Sequence, residues 1–171
     1  MTHQPPASQF YVNDGLLPAD AYSIRRSDFL DAFARMEAII SRIIVTNDPQ
    51  FDPRIPFGSK LKVLGQLKAS NKLSKKAIDR FVTLPTEIAT LTKIRNDLGH
   101  GLMSVIYRNN EPVAAFQNAA DYAIDFPQYT LLSAEDFTSG RKRLLQIGNE
   151  LKQLSNPPSQ PPPSPGAATG P

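Results

Sequence analysis

The sequence contains no cysteine and only two histidines. Without thiols, disulfides, thiolate nucleophiles and cysteine-based zinc sites are excluded. One histidine, His3, sits in the Pro-rich stretch MTHQPPASQF. Histidine chemistry in folded structure therefore falls to His100. An imidazole-rich metal site would need several subunits, so chemistry without metal or cofactor is expected. No apolar run is long enough to span a bilayer. The first residues also lack the basic region and apolar stretch of a signal peptide, so a cytoplasmic location and no membrane partner are expected. No internal repeat is evident. No aromatic-rich surface on which bases would stack stands out either, so little reading of base identity is expected.

What is present suits one ordinary domain. The chain has 171 residues, 40% of them hydrophobic, enough for its own core. Charge is segregated. Residues 58–108 hold ten Lys/Arg and three acids, a net of +7, whereas the remainder is net −4. A basic segment of this kind suits a polyanion such as RNA; solvated lysines on helix surfaces would give the same count.

The patterning predicts a mainly α fold with a small β-hairpin. Residues 1–20 read as irregular, 21–155 as a helical domain, and 156–171, with seven prolines, as a disordered or polyproline-like tail. Within the tail, Pro158-Ser159-Gln160-Pro161 matches the PxxP pattern only as any such tail would. A first helix is predicted from a Ser27 cap to Val45, carried by Phe29, Phe33, Met36, Ile40, Ile43 and Ile44. Residues 47–58 read as a loop. A second helix is predicted from Ser59 to Asn71, and a third from a Ser74 cap. Pro85 is placed in the first turn of a fourth helix, capped by Thr83 or Thr86 and stopped by Gly101. Strands are predicted at Met103–Arg108 and Val113–Gln117 around Asn109-Asn110-Glu111-Pro112, with Tyr129–Leu132 as a further short strand. Ser133 and Asp136 resemble a capping box opening the last helix.

The fourth helix carries the candidate chemistry. Ile88, Leu91, Arg95 and Leu98 recur every three or four residues, so Arg95 occupies a slot in the apolar stripe. A guanidinium there needs a carboxylate, helix-end carbonyls or a polar cleft; in a cleft it can grip phosphate with two parallel hydrogen bonds. Asn96 and His100, four apart, share a face. Asn96 or Asp97 could orient the ring. Arg95 and His100 are about 140° apart around an ideal helix. A long Arg, a last turn loosened by Gly99, or two copies of the helix would close that gap. Histidine ordinarily titrates where proton transfer near neutrality is efficient, although a histidine beside a terminal glycine also serves simply to bond the last carbonyls.

Ile94-Arg95-Asn96-Asp97-Leu98-Gly99-His100-Gly101 resembles the Arg-x(4–6)-His motif of the HEPN superfamily, in its Arg-Asn form. Phe57-Gly58-Ser59-Lys60-Leu61, a short helix around Ala77–Val82 and then the Arg-Asn helix are similar to a HEPN arrangement. The resemblance covers roughly residues 25–155. Gly99 departs from it, since many members carry Ala there, and the hairpin is an insertion relative to the plainest bundles. The Phe-Gly/Lys-Leu stretch is also similar to one in the mannitol-operon repressor family, another helical family, but that family has no comparable Arg-Asn-xxx-His.

The HEPN resemblance implies a helical bundle and, in many members, a metal-independent endoribonuclease acting as a toxin or in phage defence. It implies a homodimer with facing motifs, Arg95 and His100 as catalytic residues and Asn96 assisting. An antitoxin or regulatory protein would be a possible partner. Lys60, Lys62, Lys68, Lys72, Lys75, Lys76 and Arg80 are the expected contacts to the RNA backbone. The competing expectation is a non-catalytic helical module that binds a partner or regulates.

Overall fold

A computed structural model describes residues 15–68, 73–118 and 128–155. Among them five helices run in the order α1 (Pro18–Asn47), α2 (Phe57–Gln66), α3 (Lys75–Glu87), α4 (Ala89–His100) and α5 (Ala134–Ser155). Between α4 and α5 lie β1 (Gly101–Arg108), β2 (Glu111–Asn118) and β3 (Tyr129–Leu132), which form an antiparallel sheet in the order β1-β2-β3. The protein is mainly helical with a small sheet, as the patterning predicts. The Pro-rich tail, Lys72, Asn71 and His3 lie outside the described residues.

The first helix starts nine residues before the expected cap. Pro18 supplies its first turn with a preset φ and no unsatisfied N–H. Its apolar stripe begins with Pro18, Ala21 and Tyr22, all buried, so part of the segment expected to be irregular is helical. Ser27 and Asp28 resemble a cap but are exposed positions within the helix. The second helix begins at Phe57, where the Ser59 and Lys60 amides donate to the Pro56 carbonyl. It ends at Gln66 rather than Asn71, because Leu67 is extended.

Ser74 caps α3 as expected, its Oγ accepting from the Ala77 amide at 3.2 Å. Pro85 sits inside α3 instead of opening α4. The break falls three residues later at Ile88, which is fully buried and lies at φ −92°, ψ 3°. Neither Thr83 nor Thr86 caps α4; the Ile88 carbonyl receives both the amide and the hydroxyl of Thr92.

Asn109 and Asn110 both adopt positive φ, 52° and 65°, the geometry of a two-residue hairpin turn that matches strand twist. Glu111 and Pro112 therefore belong to β2, opposite Arg108 and Tyr107. Pro112 is tolerated in the central strand because β3 pairs only with Ala114–Gln117. Its carbonyl accepts a 2.6 Å bond from the Tyr22 hydroxyl, tying α1 to the sheet. Burial pushes the Tyr22 phenol above its ordinary pKa. The capping box forms as expected: the Ser133 amide donates to Asp136 Oδ2 at 2.7 Å, and the Asp136 amide to Ser133 Oγ at 3.2 Å.

The core lies between α1 and α5 and is closed by α2, α3, α4 and the sheet, with α4 packed against the sheet. Phe137 of α5 meets Tyr22, Phe29 and Phe116, with ring centres 5.9, 6.4 and 6.2 Å away. On α3, Arg80 bonds both carboxylate oxygens of Glu150 on α5, at 2.8 and 3.0 Å, and pairs with Glu87 at 2.6 Å. Arg143 of α5 also pairs with Glu87. This clamp holds α3 against α5 and so fixes the start of α4.

Candidate functional site

Packing of α4 against α1 determines where its polar groups emerge. Ile88 and Leu98 are fully buried, and Leu91 packs partly against the core. Arg95 follows them into the stripe and is half-buried. Its guanidinium carbon lies 5.8 Å from the centre of the Phe33 ring on α1, a cation–π distance. It donates to Asn96 Oδ1 at 3.2 Å. Among the described residues no carboxylate pairs with it. An aromatic face and one neutral oxygen thus offset the burial of this cation, leaving most of its five donors available.

His100 is the last residue of α4 and is exposed. Gly101 then turns the chain into β1. It does so with an extended backbone, φ −84° and ψ 146°, so positive φ is not what selects glycine here. A Cβ at this position would lie 2.5 Å from the Asp97 carbonyl oxygen and 3.2 Å from that of Gln117. Only glycine lets α4 and β2 close on this junction, and the closure presents His100 at the rim.

Despite their separation around the helix, Arg95 and His100 line one open cleft of about 390 Å³, with Leu30, Phe33 and Glu37 of α1 as its opposite wall. Asn96 turns toward Arg95, and no hydrogen bond joins it to the His100 ring. Asp97 faces away. Buried to 9% exposure, its carboxylate accepts from Thr130 Oγ1 at 2.6 Å and pairs with Lys93 at 2.9 Å. Asp97 therefore docks β3 on α4.

The expected backbone-binding cations divide into two groups. Lys60 is buried at 6% exposure, with its Nζ 2.6 Å from Glu37 Oε1. Arg80 belongs to the α3–α5 clamp. Both are held by carboxylates within the fold. Lys62, Lys68, Lys75 and Lys76 are exposed. The sequence reading missed the α1 wall entirely. Its one available signal was Arg95 itself, since a guanidinium in an apolar stripe calls for an aromatic or acidic neighbour on the facing helix. Phe33 fell in the predicted stripe of α1.

Among the described residues no group of three His, Asp or Glu side chains is arranged to hold a metal ion. No helix among them is long and apolar enough to cross a membrane. No family model matches the chain, and no curated protein or solved structure does either.

Proposed function

We propose that this protein is a cytoplasmic, metal-independent endoribonuclease of the HEPN type, a toxin or phage-defence effector acting as a homodimer. The observation that carries this reading is the cleft itself. It joins an arginine that is held by the Phe33 ring and Asn96 but pairs with no carboxylate among the described residues to an exposed imidazole, in a cleft that Asp31 and Glu37 also line.

Cleavage of RNA through its own 2′-hydroxyl needs two proton transfers. One imidazole takes the proton as the 2′-oxygen attacks phosphorus. A second gives a proton to the departing 5′-oxygen, leaving a 2′,3′-cyclic phosphate and a 5′-hydroxyl. One ring cannot do both in a single step, whereas His100 from each of two subunits across a two-fold axis can. Arg95 stabilises charge on the phosphoryl oxygens, and Asn96 steadies Arg95. Acid–base transfer of this kind contributes about 10²–10⁴-fold. Lys62, Lys68 and Lys75, and Lys76 beside Glu150, are exposed and hold the strand through its phosphates, a role that Lys60 and Arg80 give up to Glu37 and Glu150.

The test is RNA cleavage by the purified protein in EDTA, beside His100→Ala and Arg95→Ala. The expected result is cleavage that persists in chelator and falls at least about 100-fold in each variant. Loss of activity in EDTA, or its survival in His100→Ala, overturns the reading. In cells, overexpression is expected to arrest growth, with relief by either substitution or by an antitoxin partner.

A second reading draws on a different observation. The outer face of the sheet exposes Leu102, Ile106, Tyr129 and Leu131, at 66%, 40%, 51% and 39%. Such a face favours a non-catalytic module that binds a partner. That module would form stable complexes, cleave no RNA and be harmless when overexpressed.

A further inference from the structure

A larger cleft, about 720 Å³, adjoins the first, and Arg95 and Glu37 line both. Its volume falls in the usual range for small-molecule sites. One wall is the loop before α2, with Ile55 and Pro56, together with Phe57 at the helix start; the other is α4, with Thr92, Arg95 and Asn96. Two features give it a preference for anions. The start of α2 opens onto it without any side-chain cap, so the Phe57 and Gly58 amides lack intrahelical acceptors and the positive end of the helix dipole faces the cleft. Arg95, which pairs with no carboxylate among the described residues, also lines it, as does Arg54, whose side chain is 89% exposed and makes a two-point ion pair with the exposed Asp52. Lys60 lies at its floor, its charge matched by Glu37. The cleft thus combines one cation without a carboxylate partner, Arg95, and an uncapped helix start with an apolar wall that includes the Phe57 ring, whose edge-on partner is Phe33.

We propose that this second cleft takes the nucleotide next to the scissile phosphate. That nucleotide's phosphate lies against the start of α2 and the Arg54 guanidinium, and its base against Ile55 and Phe57. Arg95, shared by both clefts, lies between the two phosphates and sets their spacing. The ligand class is a nucleoside phosphate, carried on an RNA strand. The proposal deepens the ribonuclease reading and rests on it for the strand, but its test does not need cleavage.

Gly58 provides that test. A Cβ built on it meets nothing within 4 Å, and Gly58 lines the cleft, so an added side chain starts in open space at the cleft wall. Binding of a fluorescent 2′-O-methyl oligonucleotide of about ten residues, which cannot be cut through a 2′-hydroxyl, is measured for wild type, Gly58→Trp and Arg54→Glu. Val82→Trp, at an exposed site on α3, serves as the control, and adenosine monophosphate is the free-nucleotide probe. The expected result is a loss of at least about tenfold in affinity for Gly58→Trp and Arg54→Glu, with none for Val82→Trp. Thermal unfolding checks that Gly58→Trp is folded, and the exposed Arg54→Glu carries the test if it is not.

Unchanged affinity in the cleft variants overturns the proposal and leaves the ribonuclease reading to its own assay. Weakened binding in a protein that cuts no RNA keeps the nucleotide cleft and removes the nuclease. Binding of the monophosphate alone overturns the strand-borne ligand in favour of a free nucleotide. No binding of either probe overturns the proposal outright.

Discussion

The Arg95 guanidinium rests 5.8 Å over the Phe33 ring while its neighbour Asn96 takes one of its N–H groups. A lysine could keep the charge at this position but not the planar fork, which both stacks on the ring and grips two oxygens at once. Under the proposed ribonuclease reading, Arg95→Lys is therefore expected to lower RNA cleavage by about 10² or more, the scale seen when one oxyanion donor is lost. Stability should fall by no more than about 1 kcal/mol, the worth of an accessible cation–π contact. Cleavage rates beside thermal unfolding separate the two effects. Wild-type activity in this variant would show that only charge matters there.

The buried pair of Lys60 and Glu37 makes a different demand. At 2.6 Å, with side chains 8% and 23% exposed, each partner is unfavourable without the other. Lys60→Met alone leaves a carboxylate partly buried beneath both clefts and is expected to destabilise by about 2–4 kcal/mol. Glu37→Met should do the same to the ammonium. The double variant should recover most of the loss, because two thioether side chains can pack where an ion pair stood. A double-mutant cycle in urea reads the coupling; simple additivity would mean that the pair contributes nothing.

Local chemistry made several elements legible. Ser74 and the Ser133/Asp136 box cap their helices through short-range hydrogen bonds that the sequence spells out. The change from helical to alternating period placed the hairpin. Errors arose where tertiary packing overrode a local cue. Ser27 looked like a cap but sits within a helix whose stripe extends back to Tyr22, where the phenol reaches Pro112, 90 residues away. Pro85 looked like a helix start, yet the buried Ile88 three residues on sets the bend. At the site, Arg95 and His100 could be named from the motif. The α1 wall and the loop before α2 could not, since nothing local links Phe33 or Ile55 to residue 95. For the same reason the basic segment could not be divided beforehand into lysines facing solvent and the two cations that Glu37 and Glu150 hold.

Gly140, at the interface of α1 and α5, and Gly99, on α4, separate tight from open packing. A Cβ on Gly140 would come 2.6 Å from Phe29 Cε2, and that ring is 1% exposed and locked edge-on against Phe137. Gly140→Ala is expected to cost about 1–3 kcal/mol, because the ring has nowhere to move. Gly99 is the converse case. Its Cβ would meet nothing within 4 Å in the last turns of α4, so Gly99→Ala should stabilise by about 0.5–1 kcal/mol through helix propensity. Opposite shifts in unfolding midpoint are the expected outcome; a loss in both would mean that α4 needs its glycine for a conformation other than the one described.

The clamp between α3 and α5 makes stability depend on acid. Hydrogen bonds from Arg80 hold the Glu150 carboxyl below its usual pKa, and the same contact raises that of Arg80. A carboxyl whose pKa is depressed by folding contributes stability that is fully present above its unfolded value, about 4.3, and is lost as pH falls through the lower folded value. Glu150 is 42% exposed, so solvent screening limits the contribution to about 1 kcal/mol or less. Wild type should therefore lose stability progressively as pH drops below about 4.5, while Glu150→Gln starts lower and shows a shallower decline over that range. Because the clamp fixes the start of α4, the RNA cleavage proposed for this protein should, in Glu150→Gln near neutral pH, resemble wild type only at temperatures well below its unfolding midpoint. Urea midpoints measured from about pH 3 to 7 decide the matter, and parallel curves for the two proteins would show that Glu150 titrates identically in the folded and unfolded chain.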